Sequence, residues 1–245
     1  MSGMTRTPLE QPVRVAVLIG LVMLGLVATA PVALSQSTSN QPFILPFKGP
    51  PGPGTWLLGQ PYGNTVFAFQ HRTSFYGASQ GIHFGTDFVA RCGTEVLSIA
   101  DGVVFAVDDL SFGSGPHNLM IDHPKLGYAT LYGHLLKRPA LQAGQAVKAG
   151  EVVALSGDPA GTCTARPHLH LEVRGLEHVR KYDPVPLIQA DWDNLALTGP
   201  PTQIFERNLD RPRQWQYLND QPEATIGGPL LNDFAHPWPP DWTGP

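Results

Sequence analysis

Along residues 165–174, ARPHLHLEVR, apolar and polar residues alternate. A period of two is that of a β-strand, so Leu169, Leu171 and Val173 share one face and His168, His170 and Glu172 the other. The two imidazoles then stand side by side, roughly 7 Å apart at Cα. Shorter apolar pieces recur upstream. Residues 94–100 and 103–107 read as the strands of a hairpin closed by Asp101-Gly102, a dipeptide suited to a type I′ turn. Residues 119–122 and 128–132 read as two more strands, and Gly144 and Gly150 punctuate short apolar runs within 141–156. No segment between 81 and 175 carries the period of a long amphipathic helix. The pattern predicts an all-β fold, a compact antiparallel sandwich or half-barrel with irregular Pro-rich tails.

The two ends follow other patterns. Residues 15–34 are uncharged and almost wholly apolar, with Arg6 and Arg14 before them. A basic stretch followed by an apolar run predicts export, with Ala33-Leu34-Ser35 as a small-x-small cleavage site. The run is also long enough to span a bilayer, so a retained anchor is the alternative to a cleaved signal. Residues 36–55, rich in Ser, Pro and Gly, read as a linker. Residues 59–80 show no clear period and read as loops and short strands. After residue 186 the chain has no sustained period, and 187–245 read as an extension holding Trp192, Trp215, Trp238 and Trp242. Those rings can stack on sugars, or simply pack an irregular tail. The expected organisation is 1–35 signal peptide or anchor, 36–55 linker, 56–186 main folded domain with its motif core at 81–175, and 187–245 extension.

Composition adds two limits. With 26 Gly and 25 Pro, about a fifth of the chain is turn-forming residue, which suits a β protein. The net charge of −4 provides no basic footprint and argues against nucleic acid as a partner.

The chemistry lies in the histidines. An H-x-H pair alone is a weak signal: two metal ligands, one ligand beside an acid/base group, or a half-buried strand that carries two His. His83 and Asp87 lie four apart, but Gly81, Gly85 and the β-favouring residues between and after them argue against a helix. A turn at Gly85 can bring both side chains to one point; an ordinary surface His and Asp is the other reading. His134 follows the strand at 128–132. Two imidazoles and a carboxylate make a zinc site of the catalytic kind with one position open for water. Zinc so held lowers the pKa of its water and polarises a carbonyl. Two further imidazoles can take the proton and stabilise the oxyanion.

H-x-x-x-D at His83 and Asp87, TLYGHL ending at His134, and PHLHLEVR with His168 and His170 resemble the lysostaphin- and LytM-type zinc endopeptidases of bacterial cell walls. CGTEVLSIADGVV, NLMIDH and GQAVKAGEVVALSG also match that family's pattern, and YDPVPLI matches more weakly. The departures are His117, where a glycine-rich turn is usual, and Leu171 in place of the common Phe. The resemblance implies zinc ligands His83, Asp87 and His170. It implies a catalytic pair in which His168 is the general base and His134 helps hold the oxyanion or the water. It also implies a zinc endopeptidase that hydrolyses peptide cross-links of peptidoglycan, in the periplasm or outside the cell, with peptide stems as partners. The alternative is a non-hydrolysing envelope protein that binds wall peptides or activates another hydrolase. Glu172, on the H-x-H face, either orients a ligand imidazole or is a solvent-facing charge.

Cys92 lies five residues after Asp87 and Cys163 five before His168. Both are tethered to the same expected site, and in an exported protein they are expected to form a disulfide. The alternative is two free thiols, one of them offering the metal a fourth ligand.

Overall fold

The computed structural model describes residues 41–63, 65–77, 81–198 and 223–225. The apolar run at 15–34, and with it the choice between signal and anchor, lies outside the described residues, as do His236, Trp215, Trp238 and Trp242. Among the described residues no helix is long and apolar enough to cross a membrane.

The architecture is all-β, as the alternation predicts, and every strand pairing among the described residues is antiparallel. The main sheet runs in the order β1 (Trp56–Leu58), β2 (Thr86–Ala90), β9 (His168–Gly175), β6 (Tyr128–Gly133), β5 (Leu119–His123), β4 (Gly102–Val107), β7 (Ala146–Val147). At its end β9 also pairs with β10 (Arg180–Tyr182), which pairs with β11 (Ala224–Thr225). A second, two-stranded sheet joins β3 (Glu95–Leu97) to β8 (Val152–Leu155). Two short α-helices, α1 (Val66–Gln70) and α2 (Trp192–Thr198), and a single 3-10 turn at Leu110–Phe112 complete the described elements.

The 3.6-residue period is absent because these segments are strands, in which alternate residues face the apolar core. On β9, Leu169, Leu171 and Val173 are fully buried in a single core that also takes Val96 from β3, Val153 from β8, and Leu119 and Ile121 from β5. The two sheets therefore close on one apolar interior, each buried β9 side chain contributing roughly 2 kcal/mol.

The hairpin expected at 94–107 does not form. β3 pairs with β8, and β4 with β5 and β7, so the chain passes from one sheet to the other between them. A type I′ turn needs positive φ at both central residues, and neither Asp101 nor Gly102 has it. Asp101 is engaged elsewhere: its carboxylate accepts from Ala149 N at 3.0 Å and Lys148 Nζ at 3.0 Å, and its carbonyl accepts from His123 Nδ1 at 2.9 Å.

The packed body also exceeds the boundaries drawn at 56 and 186. Phe43 and Phe47, in the stretch expected as linker, are buried; Phe43 meets His123 and Tyr128 edge-on, and Phe47 stacks on Trp56. Beyond 186, Ile188, Trp192 and Leu195 join the same core, and Phe43 bridges to Ile188. Single aromatic anchors among Pro and Gly carry no period, which is why the pattern reads as linker.

Candidate active site

Sheet register builds the centre of the site. On β9, His170 lies opposite Asp87 of β2 on one side and Gly133 of β6 on the other. Directly opposed residues in an antiparallel pair hold their side chains within contact reach. Asp87 Oδ1 is accordingly 2.8 Å from His170 Nδ1. Close approach needs Gly85: a Cβ there would sit 2.8 Å from His170 Cε1 and 2.6 Å from the Leu171 carbonyl oxygen. The turn at Gly85 carries the chain from His83 into β2, and no helix is involved. His83 is fixed by a bridge to Gly63, and its Nδ1–H donates to the Pro61 carbonyl at 2.8 Å. His83 Nε2 then faces His170 Nδ1 at 3.1 Å and Asp87 Oδ1 at 3.2 Å.

The other nitrogen of each ring fixes the tautomers. The Pro61 carbonyl can only accept, so His83 carries its proton on Nδ1 and presents a lone pair at Nε2. His170 Nε2 faces Glu172 Oε1 at 3.1 Å, so its proton lies there and its lone pair at Nδ1. Two lone pairs and a carboxylate oxygen thus converge, all within 4.8 Å of one another and all buried. Mutual repulsion is relieved by a cation at their centre. Ligand atoms on a tetrahedral zinc stand about 3.3 Å apart, close to the spacings here, so the donor set fits such an ion. Without a metal the pocket draws in a proton instead. Burial disfavours a charged His170, but the hydrogen bonds and charges of Asp87 and Glu172 push it up to about 9. Burial likewise opposes ionisation of Asp87, but the charges of His83 and His168 and the bonds from His170 and His83 hold it well below the usual carboxylate range.

Glu172 is buried, not solvent-facing. It accepts from His170 and, through Oε2, from Arg174 Nε at 2.7 Å. Arg174, also buried, donates onward to the carbonyls of His178 at 3.1 Å and Phe112 at 2.7 Å. Burial opposes the Glu172 charge, yet Arg174 and His170 hold it down to about 2.

His134 and His168 flank this set. Their ring centroids are 4.9 Å apart, and His134 is 5.7 Å from His170. Each donates Nδ1–H to a backbone carbonyl, His134 to Gly115 at 2.9 Å and His168 to Arg166 at 2.7 Å, so each turns Nε2 inward. His168 Nε2 lies 3.7 Å from Asp87 Oδ2. Gly157 ties the two backbones together, its N–H on the His134 carbonyl at 2.9 Å and its carbonyl on the His168 N–H at 3.0 Å. A Cβ at Gly157 would sit 2.6 Å from Leu136 N, so only glycine fits. Burial and the neighbouring His170 and His168 lower His134 to about 4, so it is neutral at ordinary pH. As a neutral Nδ1–H tautomer it accepts a hydrogen bond from water; it can donate to an oxyanion only once protonated.

Five residues expected from the motifs therefore converge, together with neighbours the motifs did not supply. Arg174 lies on the same two-residue period as His168, His170 and Glu172, and the alternation carried one step further would have placed it there. Tyr76, in the aperiodic stretch before His83, packs edge-on to His83 at 5.8 Å and donates to Gln60 Oε1 at 3.2 Å. No periodicity signals it. Cys92 and Cys163 form a disulfide with Cα atoms 5.9 Å apart, so no thiol is offered to the metal set. His117 pairs with Asp108 at 3.0 Å, His178 with Asp122 at 2.7 Å, His71 Nδ1 donates to the Phe67 carbonyl, and buried His123 bonds Asp101 and Thr130.

Residues 81–184 match the profile of Peptidase family M23. An uncharacterized metalloprotease of Haemophilus influenzae is 44% identical over 90 residues, 37% of this chain and 18% of that protein. Lysostaphin of Staphylococcus staphylolyticus is 32% identical over 129 residues, 51% of this chain and 26% of that one. The peptidoglycan DD-endopeptidase ShyC of Vibrio cholerae is 32% identical over 146 residues, 56% of this chain and 31% of that one. The chain thus spans less than a third of the length of each of these relatives. Residues 81–184 thus form a Peptidase family M23 domain, similar to the lysostaphin/LytM-type metallopeptidases.

Proposed function

We propose that the chain is a zinc-dependent endopeptidase that hydrolyses peptide cross-links of bacterial peptidoglycan in an exported location. The observation that carries this reading is the convergence of two imidazole lone pairs and one carboxylate, flanked by two further imidazoles with Nε2 turned inward. Names of similar proteins support the substrate class: a glycyl-glycine endopeptidase and a peptidoglycan DD-endopeptidase are among them.

His83 through Nε2, Asp87 through its carboxylate and His170 through Nδ1 would hold the zinc ion. When bound, zinc supplies Lewis acidity for activating water and polarising the scissile carbonyl. His168 takes the proton of the attacking water at Nε2 and hands it to the amine as the C–N bond breaks. His134, neutral and fixed on Gly115, orients the water by accepting its second hydrogen, and becomes a donor to the oxyanion if it gains a proton. Glu172 keeps the His170 proton on Nε2, leaving Nδ1 free to ligate.

Variants separate binding from chemistry. His83→Ala, Asp87→Ala and His170→Ala should each lose stoichiometric zinc, since three ligands leave no spare. His134→Ala and His168→Ala should keep zinc and lose about 10²–10⁴-fold in rate. Retention of full zinc by any of the first three sinks the ligand assignment, and near-normal turnover removes a histidine from the mechanism.

A further inference from the structure

Arg166 lies two residues before His168, and its carbonyl holds the His168 ring. Its backbone is left-handed, with φ of 53°, a conformation that non-glycine residues seldom adopt. Its exposed side chain lies against Phe67, with Cζ 5.1 Å from that ring's centroid. Phe67 meets Tyr76 edge-on at 6.1 Å, and Tyr76 meets His83 edge-on at 5.8 Å. An aromatic chain therefore connects the guanidinium to the metal set.

The other arginines near β9 are matched: Arg174 with Glu172, and Arg180 with Glu223. Arg166 makes no ion pair among the described residues. It is a cation steadied on an aromatic face beside the catalytic pair, with its planar fork of N–H donors open to solvent. Such a fork matches a carboxylate with two parallel, charge-assisted hydrogen bonds.

We propose that Arg166 is a specificity-determining residue that binds a free carboxylate of the substrate, so that the preferred substrate is an acidic peptide stem and not an uncharged glycine chain. This rests on the reading of the site as a wall-peptide hydrolase, whose substrate must lie across His134 and His168 and therefore beside Arg166.

The test measures affinity of the zinc-loaded protein for two uncrosslinked stem peptides, identical except that the side-chain carboxylate of one is an amide in the other. The native protein should bind the acid at least about 10-fold tighter, as expected for a charge-assisted pair. Arg166→Gln should erase that preference and leave the amide peptide's affinity within about twofold. Arg166→Lys should restore part of the preference, because it keeps the charge and loses the fork. Comparing the acid-to-amide ratio between variants cancels any direct contact of the carboxylate with zinc. Equal affinities in the native protein, or a preference that survives Arg166→Gln, overturns the assignment. Arg166 is exposed, so these variants do not disturb the core, and their zinc content serves as the check. A preference that depends on Arg166 without hydrolysis of the cross-linked substrate would contradict the proposed function while upholding this recognition.

Discussion

At the scale of single residues, the site depends on where two protons reside. Pro61 and Glu172 place the His83 and His170 protons on the outer nitrogens, leaving lone pairs on the inner ones. Glu172→Gln tests this directly. The amide keeps the shape and an acceptor oxygen, but it removes the charge that makes His170 more basic and leaves Arg174 unmatched. Zinc affinity measured by chelator competition should fall about 10–100-fold, the usual cost of losing such a supporting carboxylate. Circular dichroism should show the fold retained. Unchanged affinity would reduce Glu172 to a partner of Arg174. The motifs made the five site residues legible, because strand alternation and turn glycines are local. Tyr76 was not legible, because its approach to His83 depends on tertiary placement of an aperiodic loop.

At the scale of elements, β9 is the axis: one face supplies the core and the other the chemistry, so the strand cannot slip by one residue without losing both. The segment after β10 carries a different strain. Asp183 accepts from Val185 N at 2.9 Å, while its other carboxylate oxygen is buried without a hydrogen-bond partner. Burial pushes its pKa up to about 7, against the bond from Val185. The folded state therefore holds a proton that the unfolded chain releases near pH 4. Between those values the native state binds more protons, and this group's contribution to stability falls as pH rises from about 4 to about 7. Asp183→Asn should flatten that part of the profile and gain on the order of 3 kcal/mol at neutral pH. Denaturant melts at pH 5 and 8 check it. An unchanged slope would mean that the carboxyl is solvated in solution. The missed hairpin belongs to this scale too. An Asp-Gly pair between two apolar runs is a local turn signal, and it was overridden when β8 and β5 offered the two runs better partners.

At the scale of the whole molecule, the fold class was legible because short apolar runs broken by turn signals recur between residues 94 and 174, whereas the limits of the packed body were not. Phe43, Phe47, Ile188 and Trp192 sit in stretches with no period, and only the assembled core shows them to be interior. A fragment beginning at residue 56 should therefore be less stable than one beginning at residue 41. Loss of a buried Phe alone costs about 3–5 kcal/mol. Equal melting of the two fragments would show that residues 41–55 merely lie on the surface. The disulfide acts at the same scale, closing a separation of 71 residues between the end of β2 and the loop that feeds β9.

Peptide-bond hydrolysis at a zinc site is the central proposal for this molecule. Mass spectrometry of a defined cross-linked muropeptide, incubated with the protein as purified, after chelation and after zinc is restored, tests this most directly. The account predicts cleavage within the peptide cross-link with the glycan intact, loss on chelation and recovery with zinc. Cleavage that persists without metal, or an intact cross-link in the presence of a stoichiometrically zinc-loaded protein, would contradict it.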